Sequence, residues 1–342
     1  MITSDAALAQ AQDVAQGLVG GAVRVRHLVS GGRNSRIFRV DSAERAYALK
    51  HYPSREGDPR DRLATEVGAL RLMEHYRLDV VPRVVGVDAD RGYALLSWID
   101  GAEVLEPTEI DVDAAVAFLS AIHALRHTAW AAEQPLASEA CLSGDEIERQ
   151  IAARLERLEG LCAAEPDLAA FLGQSVRPAC LRLLAGAHAK MAAAALDFMA
   201  ELPEERRSLV PSDFGFHNSL RRSDGSLAFV DFEYFGWDDP VKLTADILLH
   251  PGRTLTPPQR HRFRDLAVGL YGGGDPAFAE RLAALLPLFG LRWVLILLNE
   301  FVPERWRRRV AAGVTDDWAE AKRRQLAQAR EFLACLHRKV EG

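Results

Sequence analysis

An acid and an amide stand five positions apart in Ser212-Asp213-Phe214-Gly215-Phe216-His217-Asn218, and a second acid follows in Asp231-Phe232-Glu233. Between them, Ser219-Leu220-Arg221 reads as a short strand, Asp224-Gly225 as a hairpin turn and residues 227–230 as the returning strand. Such a hairpin brings Asp213, Asn218 and Asp231 to one place. Three oxygen-bearing side chains meeting there suit Mg²⁺ and a hydroxyl-bearing substrate.

The rest of the chain has to position and cover that loop. Residues 5–18 are Ala-rich with apolar spacing, which predicts a helix ended by Gly20-Gly21. Alternating residues over 23–28, 36–40 and 45–52 predict three consecutive antiparallel strands. The first turn, Ser30-Gly31-Gly32-Arg33-Asn34-Ser35, fits either a plain hairpin or a flap whose backbone N–H groups approach an anion. Lys50 lies near the end of the third strand. A helix over 61–76 follows, with Leu63, Val67, Leu70 and Leu72-Met73 on its apolar stripe. Glu66 beside that stripe is either solvated or paired with Lys50.

Strands over 80–87 and 93–99 complete a five-stranded sheet, and the exit at Ser97-Trp98-Ile99 offers backbone groups to a purine base. Beyond residue 110 the pattern turns helical. Helices are predicted over 113–126, over 144–200 with breaks at Gly173 and Pro178, and then over 258–271, 276–286, 291–309 and 315–339. The fold class is therefore α+β, a small sheet with one main helix (1–100) followed by a larger, mostly helical part (101–342).

Composition narrows the function. Of 342 residues, 49% are apolar and 26% charged, as in ordinary soluble proteins. A net charge of −6 argues against a dedicated nucleic-acid binder. Cys141, Cys162, Cys180 and Cys335 form no C-x-x-C pair, which predicts reduced thiols and no zinc site. The first residues lack a basic stretch, and the most apolar run, Trp293 to Leu298, is short for a bilayer. These features predict a cytoplasmic protein with neither a membrane nor a nucleic acid as partner.

Taken in order, the pieces resemble the aminoglycoside phosphotransferase and choline kinase-like superfamily of small-molecule kinases, over nearly the whole chain. Gly31-Gly32 lies between the first two strands, Tyr47-Ala48-Leu49-Lys50 looks like the nucleotide lysine strand, and Glu66 looks like its partner. Residues 95–101 resemble the interlobe hinge, and Ala121-Ile122-His123-Ala124-Leu125 the helix before the insert. Asp213 and Asn218 keep the Asp-x₄-Asn spacing of the catalytic loop, Asp231-Phe232-Glu233 looks like the metal-binding triplet, and Gly236-Trp237 with Asp239-Pro240 matches the tail.

The resemblance implies a bilobal, protein-kinase-like fold with an N-terminal nucleotide lobe, a catalytic loop over 208–240 and acceptor helices over 254–340. It implies an ATP- or GTP-dependent kinase that phosphorylates a hydroxyl of a small molecule. Asp213 would act as base, and Asn218 and Asp231 would hold Mg²⁺. Lys50, oriented by Glu66, would grip the phosphates under the Ser30-Gly31-Gly32 turn, with Ser97, Trp98 and Ile99 at the base. Two departures stand out. Pro211-Ser212 replaces the family's His-Gly before the aspartate, and Leu243 stands where an aspartate often follows the Asp-Pro, with Asp246 nearby as a substitute. His217 reads as a packing residue.

For the acceptor, Trp237, Asp238, Asn299 and Glu300 are candidate pocket walls. Residues 254–342 hold fifteen Lys/Arg against ten Asp/Glu, and the stretch Glu304–Arg309 is basic. That balance favours a neutral or anionic hydroxylated metabolite, a sugar or an amino alcohol, over a polycationic aminoglycoside. The other readings are an antibiotic kinase, a nucleotide-binding pseudokinase or regulator, and a protein kinase. The last is disfavoured by the few residues separating Asp231 from the Gly-Trp tail. The arginines of 305–309 read as a surface coat.

Overall fold

The computed structural model describes residues 4–28, 35–53, 60–252, 254–311, 314 and 316–341. Its first part runs α1 (Ser4–Val19), β1 (Arg24–Leu28), β2 (Arg36–Asp41), β3 (Ala46–His51), α2 (Arg62–His75), β4 (Val84–Asp88) and β5 (Tyr93–Ser97). The five strands form one antiparallel sheet in the order β1-β2-β3-β5-β4. Strand alternation gives the two faces separate duties. Phe38, Val40, Leu49, Tyr93 and Leu95 pack on Ala11, Val14 and Ala15 of α1. Lys50, next to Leu49, turns to the opposite face and meets α2.

The second part continues with β6 (Ala102–Glu103), α3 (Glu109–Ala124), α4 (Ala129–Ala132), α5 (Gly144–Glu159), α6 (Pro166–Phe171) and α7 (Arg177–Ala193). Then come β7 (Ser208–Val210), β8 (Ser219–Arg221), β9 (Leu227–Phe229), β10 (Gly236–Asp238), α8 (Pro240–Leu249), α9 (Pro257–Gly272), α10 (Phe278–Leu297), α11 (Pro303–Ala311) and α12 (Trp318–Glu341). The expected hairpin is β8–β9, extended by β6 into three strands, and β7 pairs antiparallel with β10. A capping box between Thr108 and Asp111 starts α3, and Asp111 also takes Arg221 of β8 at 2.6 Å. The hairpin is thereby anchored to a helix end.

Several expected boundaries move, each for a local reason. Strand β4 starts at Val84 instead of 80, because the Val80 carbonyl is spent on the Phe229 N–H at 2.8 Å and joins the sheet to the hairpin. Gly173 and Pro178 do not break the helix over 166–193. The turn at Leu172–Val176 widens to π geometry, and the Arg177 N–H reaches back to the Leu172 carbonyl. The widened turn relieves the crowding that a proline imposes one turn upstream. The real interruption lies at 160–165.

Residues 278–297 form one helix, although a break is expected near Pro287 and Gly290. Pro287 has no N–H for the Ala283 carbonyl, and Lys190 of α7 supplies the missing donor at 3.1 Å. The run Trp293–Leu298 thus belongs to a helix with the length and apolarity of a membrane span. It lies mostly buried between α5, α7, α8 and α12.

At Gly290 α10 and α12 pack closely, since a Cβ there would stand 2.2 Å from the Leu336 side chain. Gly290→Val should therefore cost about 1–3 kcal/mol through overpacking, read as a lower urea midpoint. His51 and His123 are sheltered and titrate at about 4, chiefly because burial disfavours the cation. His123 also bonds the Ser208 hydroxyl at 2.9 Å, joining α3 to β7. In the unfolded chain both return to about 6.5. Stability should be complete above pH 6.5 and decline as pH falls to 4, because the unfolded chain takes up protons first. His123→Gln should flatten part of that decline in urea melts run across the window.

Candidate active site

Lys50 is held inside a ring of carboxylates from both parts of the molecule. Its Nζ lies 2.6 Å from Glu66 Oε2, 2.6 Å from Asp231 Oδ1 and 3.5 Å from Glu233 Oε2. Burial alone would depress the ammonium; the surrounding anions, Asp231 and Glu66 foremost, outweigh it and hold its pKa well above the lysine norm. Glu66 is 1% exposed, so it is paired and not solvated. It also accepts the Tyr52 hydroxyl at 2.7 Å, and its other oxygen takes the Phe232 N–H at 3.2 Å. Glu233 leans on Arg62 at 3.5 Å. Sequence reasoning missed Tyr52, Arg62 and the role of Glu233, because partners on different elements leave no spacing signal.

The hairpin delivers the other half. Asn218 donates Nδ2 to the Asp213 carbonyl at 2.8 Å, and its own carbonyl accepts the Val230 N–H at 3.0 Å. The Asp-x₄-Asn loop is thus closed on itself and registered against Asp231. Asp231 takes φ = +71°, a left-handed conformation uncommon for aspartate, while its carboxylate reaches Lys50. Oxygen donors suited to Mg²⁺ are present: carboxylate oxygens of Glu66, Asp231 and Glu233 lie within 4.8 Å of one another, and Asn218, with Nδ2 committed, keeps Oδ1 as an acceptor.

Asp213 is half-exposed. Burial works to raise its carboxyl, but the hydrogen bond and charge of His217, backed by His250 and Lys242, hold it at about 2. His217 Nε2 lies 3.2 Å from Asp213 Oδ1, and its ring stacks on His250 at 4.0 Å. His217, expected only to pack, is therefore a direct neighbour of Asp213.

The replacement of His-Gly by Pro211-Ser212 finds its counterpart in α8. Ser212 has φ = +65°, and its hydroxyl lies 3.3 Å from Lys242 Nζ and 3.5 Å from the Ser138 carbonyl. Lys242 is 1% exposed and sits 3.0 Å from Asp238 and 3.7 Å from Asp246. A lysine on the following helix thus braces the loop, and Asp246 supports that lysine from one turn further on.

The remaining expected residues divide. Ser30, Gly31 and Gly32 lie outside the described residues. Ser97 and Trp98 line a cavity of about 510 Å³ with Arg39, Tyr47 and Asp100, and Ile99 follows, half-buried. The Ser97 N–H is already given to the Arg83 carbonyl at 2.9 Å, so it is not offered to a base. Trp98 lies under the Arg39 guanidinium at 4.5 Å.

Three of the four acceptor-wall candidates, Trp237, Asp238 and Glu300, have partners inside the protein. Trp237 is tied down by Nε1 to the Ala131 carbonyl at 2.9 Å. Asp238 is fully buried, accepting the Cys141 N–H at 2.7 Å besides pairing with Lys242. Glu300 is 1% exposed against Arg309. Buried carboxylates survive only with such partners, and those partners take the place of a ligand. Asn299 is half-buried, and its carbonyl accepts the Val302 N–H at 3.1 Å.

With the geometry in hand, residues 24–281 match the phosphotransferase enzyme family. The chain belongs to that family. None of the curated proteins is a detectable sequence relative of this phosphotransferase. Its fold is that of solved protein-kinase-like enzymes. A choline kinase from Streptococcus pneumoniae superposes with a TM-score of 0.59 at 19% identity, covering 94% of this chain and 97% of that one. A spectinomycin phosphotransferase bound to ADP and spectinomycin gives 0.59 at 12% identity, covering 93% and 98%. An ethanolamine kinase from Plasmodium vivax gives 0.56 at 11% identity, covering 89% and 82%. The bilobal α+β architecture of this phosphotransferase is thereby established.

Removing the brace should separate two effects. Ser212→Ala should lower kcat by about tenfold with nucleotide KM nearly unchanged, since it loosens only the aspartate. Lys242→Met leaves Asp238 buried and unpaired, and should cost about 3–5 kcal/mol in urea unfolding.

Proposed function

We propose that this phosphotransferase transfers the γ-phosphoryl group of ATP or GTP to a hydroxyl of a small metabolite, such as a sugar or an amino alcohol. The observation that carries this reading is the joining, in one loop–hairpin unit, of a half-exposed aspartate and an amide–carboxylate pair beside a caged lysine. Loose phosphoryl-transfer transition states need position and charge neutralisation more than a strong base. Each residue supplies one of these.

Lys50, pre-aimed by Glu66 and Tyr52, meets the nucleotide phosphates. Asn218 and Asp231 would hold Mg²⁺, which when bound neutralises phosphate charge. Asp213 orients the acceptor hydroxyl. The acceptor oxygen bonds the γ-phosphorus, the bond to the β–γ bridging oxygen breaks, and the hydroxyl proton passes to Asp213. A carboxylate held at about 2 is a weak base, suited to a proton that leaves late. His217 keeps that carboxylate ionised and oriented.

Asp213→Asn should lower kcat by roughly two or more orders of magnitude while nucleotide affinity by calorimetry stays near wild type. Asp231→Ala should abolish magnesium-dependent turnover. A collapse of nucleotide affinity in Asp213→Asn would overturn its placement on the acceptor side. Wild-type turnover that survives Asp231→Ala would remove the metal assignment.

A further inference from the structure

The imidazole beside Asp213 needs support of its own. His217 Nε2 lies 3.2 Å from Asp213 Oδ1, while Nδ1 is buried without a hydrogen-bond partner. Polar contacts therefore hold the ring at one end only, and a ring so held still turns about its side-chain torsions. Packing has to do the rest. Gly215 lies against Nδ1, where a Cβ would come within 3.0 Å, and the His250 ring stacks on the His217 ring at 4.0 Å with 2° between their planes.

His250 is itself well anchored. It caps the C-terminal end of α8, accepts the Gly252 N–H on Nδ1 at 3.1 Å, and meets the Trp293 ring of α10 edge-on at 5.0 Å. Helix α8 is buried at every residue from Pro240 to Leu249. Lys242, near the start of the same helix, lies 3.3 Å from the Ser212 hydroxyl. One buried helix thus supports the backbone before Asp213 at one end and the ring beside its carboxylate at the other.

Asp213, His217 and His250 also place ligand-type atoms within 4.8 Å of one another, the separation expected of a metal site. The ring planes decide against that use. Imidazole lone pairs lie in the ring plane, so two stacked, parallel rings direct them along separate planes and do not converge on one ion. The contact is a support between rings.

We propose that His250 is a positioning residue for phosphoryl transfer: its ring fixes the plane of His217, and His217 holds the Asp213 carboxylate toward the acceptor hydroxyl. This rests on the phosphotransferase reading above and extends it by one ring. Misplacing a reacting group by about 1 Å costs up to about a hundredfold in rate, so a ring contact remote from the chemistry can govern turnover.

The test follows γ-phosphoryl transfer from ATP or GTP, with Mg²⁺, to three hydroxyl probes: water, glucose and choline. On whichever probe the enzyme uses, His250→Ala should lower kcat about tenfold with nucleotide KM unchanged. His250→Phe keeps a flat ring and should recover most of that loss, whereas His250→Leu fills the space without a flat face and should not. In a His217→Ala background, His250→Ala should add no further loss, because its effect passes through His217. Full kcat in His250→Ala, a raised nucleotide KM in place of a lowered kcat, or an equal loss in both backgrounds would overturn the proposal.

A second readout needs no turnover. Nitrogen NMR of the histidine-labelled protein should show His217 in a single tautomer with its proton on Nε2, as donation to Asp213 requires. His250→Ala should mix the two tautomers, and His250→Phe should keep one. That pattern without transfer to any probe would count against the kinase reading alone and leave the ring contact standing. A His217 signal unaltered by His250→Ala would remove the contact as a positioning device.

Discussion

A lysine ammonium out of water is tolerable only among carboxylates, and the active centre is built on that demand. Lys50 comes from β3, Glu66 from α2, and Asp231 and Glu233 from the segment after β9. The charge therefore cannot be satisfied unless the sheet, its helix and the hairpin are all in place. One electrostatic requirement ties the small part of the molecule to the large one, and breaking any partner leaves the others buried and uncompensated. Tyr52 and the Phe232 N–H complete the coordination of Glu66, so the network specifies a single arrangement.

The same logic recurs beneath the catalytic loop. Ser212 sits in a left-handed conformation immediately before Asp213, and such backbone persists only where its surroundings hold it. Lys242, with Asp238 and Asp246, provides the hold from α8. With Pro211-Ser212 before the aspartate, the loop is braced from the following helix. Asp238 and Asp246 are consequently structural.

Much of this was legible in the chain. The order of strands and helices followed from period and from glycine and proline punctuation. Asp213, Asn218, Asp231, Lys50 and Glu66 stood out because their spacings are set by one loop, one hairpin and one strand–helix step. Breaks expected at Gly173, Pro178, Pro287 and Gly290 failed for a common reason: each is rescued by something nonlocal or by a small change of helix geometry. Lys190 from another helix satisfies Ala283, and a widened turn absorbs Pro178.

Sequence by itself determined the N-terminal strands and their helix, the hairpin and the candidate site residues, because these depend on residues near one another in the chain. Only the tertiary structure decided which charged residues are buried pairs and which remain available. Asp238 and Glu300 look like ligands for a substrate until their lysine and arginine partners are seen. The energy of a charge depends on its burial and on what lies within a few ångströms. Those neighbours come from elements dozens of residues away, and folding alone brings them together.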